Sequence, residues 1–279
     1  MSVSTMSPLV TIDWLAENLA QPGLIVAEVD ENTELYEEGH IPGAVKLHWR
    51  DDLQDPLVRD VVSSAAFEQL MGERGIGNDT TVVLYGDKNN WFAAYAYWYL
   101  KVFRHEDVRL LDGGRQKWIE EGRELTAASS TPTPVAYTAK DRDESIRIRR
   151  DEMLAGLGEP EFALVDVRSP QEFAGELVAP PGYEQEGASR AGHIPGAQSI
   201  PWATAVRDDG TFKAVDELRE IYAAKGITPD KEIRAYCRIG ERSAHTWFVL
   251  QELLGYENVR NYDGSWTEWG NLVDVPIER

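Results

Sequence analysis

A six-residue phrase occurs twice in this chain, and its two copies constrain the fold more than any other feature. Gly39-His40-Ile41-Pro42-Gly43-Ala44 returns as Gly192-His193-Ile194-Pro195-Gly196-Ala197, so that position 193 answers position 40 across 153 residues. Asp112-Gly113-Gly114 returns as Asp263-Gly264-Ser265 at a displacement of 151, and Tyr85, Val108, Arg109 and Trp118 have partners in Tyr236, Val259, Arg260 and Trp269 at that same displacement. A near-constant offset over most of 279 residues means two copies of one fold, which is also the domain count such a length allows. Val10 and Asp13 match Ile148 and Asp151 at only 138, which makes the second copy 15 residues longer between its start and the repeated phrase. The surplus is expected between Gln171 and Arg190, where Ala179-Pro180-Pro181-Gly182 and Glu184 to Gly187 read as an exposed loop.

The boundaries follow from the repeat and from composition: a first copy over 7–126, a linker over 127–144 containing Ser129-Ser130-Thr131-Pro132-Thr133-Pro134, and a second copy over 145–279. Within the copies, short apolar runs (Leu24 to Val29, Thr80 to Tyr85, Val108 to Leu111, Ile233 to Tyr236) alternate with helical stretches such as the aromatic Asn90 to Phe103. That alternation predicts an α/β fold in each copy, a mainly parallel sheet flanked by helices on both faces. In such sheets function gathers at the carboxyl ends of the strands.

The chain's one cysteine stands at such an end, in Ala235-Tyr236-Cys237-Arg238-Ile239-Gly240-Glu241-Arg242-Ser243, between the run Ile233 to Tyr236 and a helix expected over Ser243 to Leu254. A helix start presents unpaired N–H groups and partial positive charge, Gly240 lets the loop amides turn inward, and Arg238 and Arg242 add two cations. A thiol there ionises more readily, which makes Cys237 a nucleophile rather than a small core residue. This reading requires a sulfur within reach of solvent and a ring of amides turned toward it. The equivalent position in the first copy is Gly86, in Gly86-Asp87-Lys88-Asn89-Asn90-Trp91, which has no nucleophile. Trp91 and Phe92 are open to two readings, the wall of a shared cleft or core packing.

The formal charge of −20 is spread over both halves, which favours solubility and disfavours nucleic acid and anionic membranes as partners. A single cysteine excludes an internal disulfide, a CxxC redox pair and a thiolate zinc site, and suits a reducing compartment. The stretch Met1 to Val10 lacks a basic region and an apolar core, and no run reaches the length of a membrane span, so a cytoplasmic protein is expected.

The paired Gly-His-Ile-Pro-Gly-Ala motifs, Asp263-Gly264-Ser265-Trp266-Thr267-Glu268-Trp269 and the Cys237 to Ser243 loop together resemble a tandem-domain rhodanese, a thiosulfate sulfurtransferase. The resemblance implies two rhodanese-like domains with the N-terminal one inactive and the active loop near their interface. It also implies that Cys237 attacks the outer sulfur of thiosulfate, releases sulfite and holds a persulfide until cyanide or a thiol takes the sulfur. Neither cofactor nor metal is called for, and a monomer suffices. Loop residues Arg238, Ile239, Gly240, Glu241, Arg242 and Ser243 are then expected to bind substrate, the two arginines at its sulfonate. Mercaptopyruvate sulfurtransferases share the fold, but their loop is usually neutral after the cysteine. Counting from Asp166-Val167-Arg168, the place of a substrate arginine in many relatives holds Glu172, which leaves the anion to Arg238 and Arg242 or to help from Arg190.

His40 and His193 are expected to fix turns, since the same motif stands in the copy without a nucleophile. His245 is read as structural, Asp166 as a brace for the active loop, and Trp266 and Trp269 as core. Two other functions remain open. A related phosphatase would need a Cys-x5-Arg loop, whereas Cys237 to Arg242 is Cys-x4-Arg, and a non-catalytic persulfide carrier would show the same cysteine.

Overall fold

The computed structural model, which describes residues 7–183 and 187–279, contains two parallel sheets whose strand pairings repeat with the sequence. The first half supplies β1 (Leu9–Val10), β2 (Leu24–Glu28), β3 (Val45–Lys46), β4 (Thr81–Tyr85) and β5 (Val108–Leu111), arranged β1-β5-β4-β2-β3. The second supplies β6 (Phe162–Asp166), β7 (Gln198–Ser199), β8 (Glu232–Tyr236) and β9 (Val259–Tyr262), arranged β7-β6-β8-β9. Val82 and Leu84 face Val108 and Leu110, while Ile233 and Ala235 face Val259 and Asn261, every residue displaced by 151. Ala27 faces Val45 and Val165 faces Gln198, so the displacements of 138 and 153 also survive as register. A parallel bridge between Arg147 and Asn261 stands where β1 would be.

Helices cover the sheets: α1 (Ile12–Asn18), α2 (Leu35–Glu38), α3 (Ser64–Glu73), α4 (Trp91–Val102) and α5 (Gly114–Glu120) in the first half, then α6 (Arg150–Ala155), α7 (Pro170–Phe173), α8 (Val215–Ala223), α9 (Glu241–Phe248) and α10 (Ser265–Trp269). The chain is thus an α/β protein with two parallel sheets, each flanked by helices, as the alternation of runs predicts. Val82 to Tyr85 and Ile233 to Tyr236 are buried throughout because both sheet faces are covered. α4 is apolar all round and buries Phe92 to Leu100, with Phe92 packed 4.7 Å from Trp49 in its own unit. The helix expected over Ser243 to Leu254 starts at Glu241 and passes into a π-helical turn at Val249–Leu253.

One compact unit comprises Met1–Asp143 with Val206–Phe212, the other Glu144–Ala205 with Lys213–Arg279. The Pro- and Ser-rich stretch expected as a linker is bonded along the first unit: Thr126 and His40 exchange backbone hydrogen bonds, Val135 N–H donates to Gly72 O, and Asp143 N–H donates to Val102 O. In the longer second copy, residues 184–186 of the expected exposed loop lie outside the described residues, as do residues 1–6 of the amino terminus. Among the described residues, no helix is long and apolar enough to cross a membrane.

The repeated Gly-His-Ile-Pro phrase has one mechanical job in both copies. Ile41 N–H donates to the Tyr85 hydroxyl at 2.9 Å and Ile194 N–H to the Tyr236 hydroxyl at 3.0 Å, tying the turn to the last residue of the central strand. The preceding histidines stack on Tyr36 (3.9 Å) and Phe173 (3.6 Å) and donate through Nδ1 to the carbonyls of those same residues. Buried rings with these fixed partners act as structure.

Candidate active site

Cys237 leaves the carboxyl end of β8 and the chain turns into α9 within four residues. The turn needs a glycine: Gly240 has φ +102°, and a Cβ there would meet the Asp263 Cα at 2.7 Å. In this conformation Gly240 N–H donates to the Cys237 Sγ at 3.1 Å, which makes it an amide turned toward the sulfur. The Gly240 carbonyl is held in turn by Ser243 Oγ and Asn261 Nδ2, both at 3.1 Å.

The opposite side of the loop is held by α10. Ser265 Oγ accepts the Cys237 N–H at 3.1 Å, Trp266 N–H donates to Cys237 O at 3.0 Å, and Thr267 donates to Arg238 O through its N–H (2.9 Å) and its hydroxyl (2.7 Å). Sequence reasoning took this motif as a family marker and its tryptophans as core. Trp266 and Trp269 are indeed buried, but Ser265, Thr267 and Asn261 were missed as holders of the loop. The one signal available was that Ser265 answers a glycine, Gly114.

The two loop arginines have different surroundings. Arg242 donates through both terminal nitrogens to Glu172, at 2.9 and 3.0 Å, and both side chains are buried. Burial pushes the Glu172 carboxyl up, but the Arg242 guanidinium outweighs it and holds it below the usual carboxylate range. Glu172 also accepts the Ser169 N–H at 3.0 Å in the capping box of α7. As arranged here, the fork of Arg242 is spent on Glu172. Arg238 instead lies over the Tyr183 ring, 4.7 Å from its centroid, and donates weakly to Tyr183 O at 3.5 Å.

Asp166 ends β6 directly beside Tyr236 and is clamped by Arg168, whose Nη2 donates to it at 2.6 Å and to Gly192 O at 2.7 Å. Arg168 thereby links the end of β6 to the second Gly-His-Ile-Pro turn. Arg190 donates to the carbonyls of Trp269, Gly270, Leu272 and Val275 and so fastens the end of α10. Ile239 and Glu241 are buried, the latter in the first turn of α9. His245 is fully buried against Trp202, and burial pushes its imidazole down to about 3, which keeps it neutral.

Cys237 itself is 0% exposed. The solvent-open sulfur expected from the sequence is therefore not found in this conformation: the residue sits beneath its own loop, closed by the hydrogen bonds to Gly240 and Ser265.

In the first copy the same loop has satisfied itself. Asp87 accepts the N–H groups of Glu31 (2.7 Å) and Asn32 (3.1 Å), Asn90 Oδ1 accepts the Gly86 N–H, and a Cβ at Gly86 would lie 2.1 Å from Val29 O.

Both halves match one family description, Rhodanese-like domain, over residues 11–121 and 149–272. The chain is 60% identical over 274 residues to Sulfur carrier protein TtuD of Thermus thermophilus, covering 97% of this chain and 96% of that one. It is 57% identical over 270 residues, or 97% and 95% of the two chains, to a Saccharopolyspora erythraea protein named "Putative thiosulfate sulfurtransferase". Among solved structures, EanB with ergothioneine covalently linked to a persulfide cysteine matches at a TM-score of 0.85 and 28% identity, over 97% of this chain and 70% of that one.

Proposed function

Because the chain belongs to the rhodanese-like family, we propose that it transfers the sulfane sulfur of thiosulfate to cyanide or a thiol through a persulfide on Cys237. The observation that carries this is the Gly240 amide aimed at the sulfur of the one cysteine, at the carboxyl end of β8. The Cys237 thiolate attacks the outer sulfur of thiosulfate, an S–S bond forms as the bond to the sulfonate sulfur breaks, and sulfite leaves with the electron pair. An acceptor then attacks the outer sulfur and returns the thiolate. The Gly240 N–H stabilises whichever sulfur anion faces it. We assign the sulfonate to Arg238, with Arg242 holding the loop through Glu172.

Burial of Cys237 makes loop opening part of the cycle. A phosphatase reading is disfavoured because the arginine that would clasp phosphate is engaged by Glu172. Persulfide carriage is a second reading, favoured by the likeness to a protein named as a sulfur carrier. Intact mass after thiosulfate alone tests both. Gain of one sulfur, removed by cyanide and lost in Cys237→Ser, supports the transferase; no gain from thiosulfate, with gain from a persulfidated protein, supports the carrier. Mercaptopyruvate assayed alongside thiosulfate fixes the donor.

A further inference from the structure

The two copies fix the residue leaving the central strand by the same pair of hydrogen bonds, made from different places in the fold. In the first copy the Asn90 carboxamide accepts the Gly86 N–H at 2.9 Å and donates to Leu111 O at 2.6 Å. In the second the Ser265 hydroxyl accepts the Cys237 N–H at 3.1 Å and donates to Tyr262 O at 2.6 Å. Gly86 and Cys237 are equivalent across 151 residues, and so are Leu111 and Tyr262. The neighbouring bond is also shared, Arg115 N–H to Gly86 O and Trp266 N–H to Cys237 O, each 3.0 Å. Only the bracket has moved: Asn90 lies within its loop, whereas Ser265 reaches in from α10.

The new position is a strained one. Ser265 has φ +52°, a left-handed backbone that its Cβ disfavours, while its counterpart Gly114 holds φ +54° without that penalty. A Cβ on Gly114 would lie 2.2 Å from the Asn90 Oδ1, so the carboxamide and a side chain at that site exclude each other. With the bracket outside the loop, the inward side is left to the Cys237 Sγ, which takes the Gly240 N–H and lies 4.0 Å from the Ser265 Oγ.

We propose that Ser265 is a positioning residue for sulfur transfer, holding the Cys237 amide from α10 at the expense of backbone strain so that the loop interior serves the sulfur. This rests on the sulfurtransferase reading above.

The test uses the full chain with Ser265→Gly and Ser265→Ala. Ser265→Gly deletes the hydroxyl but relieves the strain, so its thermal midpoint should stay above that of Ser265→Ala. Its kcat for thiosulfate:cyanide sulfur transfer should still fall by about 10- to 100-fold, with KM changed by less than about threefold. Ser265→Ala keeps the Cβ and should lose both kcat and midpoint. Amide hydrogen exchange at Cys237 should accelerate at least about tenfold in both variants. Wild-type kcat and exchange in Ser265→Gly would overturn the proposal, as would activity losses matched in both variants by loss of folded protein. The exchange measurement needs no sulfur donor. If the wild type takes no sulfur from thiosulfate, it is the functional reading that fails, and the role of Ser265 is still decided.

Discussion

Glu172 and Arg242 face each other across two parallel hydrogen bonds of 2.9 and 3.0 Å, and both side chains are buried. Seventy residues apart in sequence, they join the start of α7 to the first turn of α9, and thus β6 to the active loop.

Glu172→Gln leaves a buried guanidinium without its counter-charge, a change that costs about 3–5 kcal/mol in comparable pairs. Urea unfolding should show that loss, with sulfur transfer reduced as the loop loosens. Replacing Glu172 and Arg242 together by methionine should cost far less stability than the single change. Equal losses would mean that the pair contributes nothing as a pair.

Gly240→Ala asks for a side chain where φ is +102° and Asp263 Cα stands 2.7 Å away. The loop must shift, and the amide facing the sulfur shifts with it. A loss of about 100-fold in kcat, with unchanged far-ultraviolet dichroism, is expected. Steady-state kinetics of thiosulfate turnover check it.

His245 titrates near 6.5 when unfolded but is pushed down to about 3 by burial when folded. Between those values the unfolded chain binds the extra proton, so stability falls as pH drops from about 6.5 toward 3, by up to about 1.4 kcal/mol per pH unit from this residue. His245→Leu should flatten that part of the stability profile. An unchanged slope would assign the acid sensitivity elsewhere.

Asp30 in the first unit behaves oppositely. Burial first, then the neighbouring Glu28 charge, pushes its carboxyl up to about 9. The folded protein holds that proton, so the stability it contributes is complete below about 3.8 and is lost as pH rises through about 9. Asp30→Asn keeps an oxygen for the Asp87 N–H, which bonds it at 2.8 Å, and removes the titration. Denaturant midpoints at pH 6 and 9 should converge in the variant.

The repeat made the sheet legible down to its register, because Tyr85 and Tyr236 recur with the strands they end, and backbone pairing follows strand order. It also placed Cys237 at the strand end. What it did not reveal are relations between side chains distant in sequence. Glu172 stood out as an acid in an arginine's place, but nothing along the chain links it to Arg242. The burial of Cys237 was equally hidden, since a loop of arginines and glycine reads as exposed until Ser265 and Gly240 close it. Ser265 stood in plain view opposite Gly114, yet its meaning depends on a left-handed φ that no letter records.

The crowding around Gly86 bears on any attempt to give this chain a second sulfur-carrying centre. A cysteine grafted there would drive its Cβ into the Val29 carbonyl, 2.1 Å away. Placing a thiol in the first unit therefore demands coordinated rebuilding of several positions. At the position that answers Cys237, the first unit has its space taken by the Asn90 carboxamide and the Val29 carbonyl.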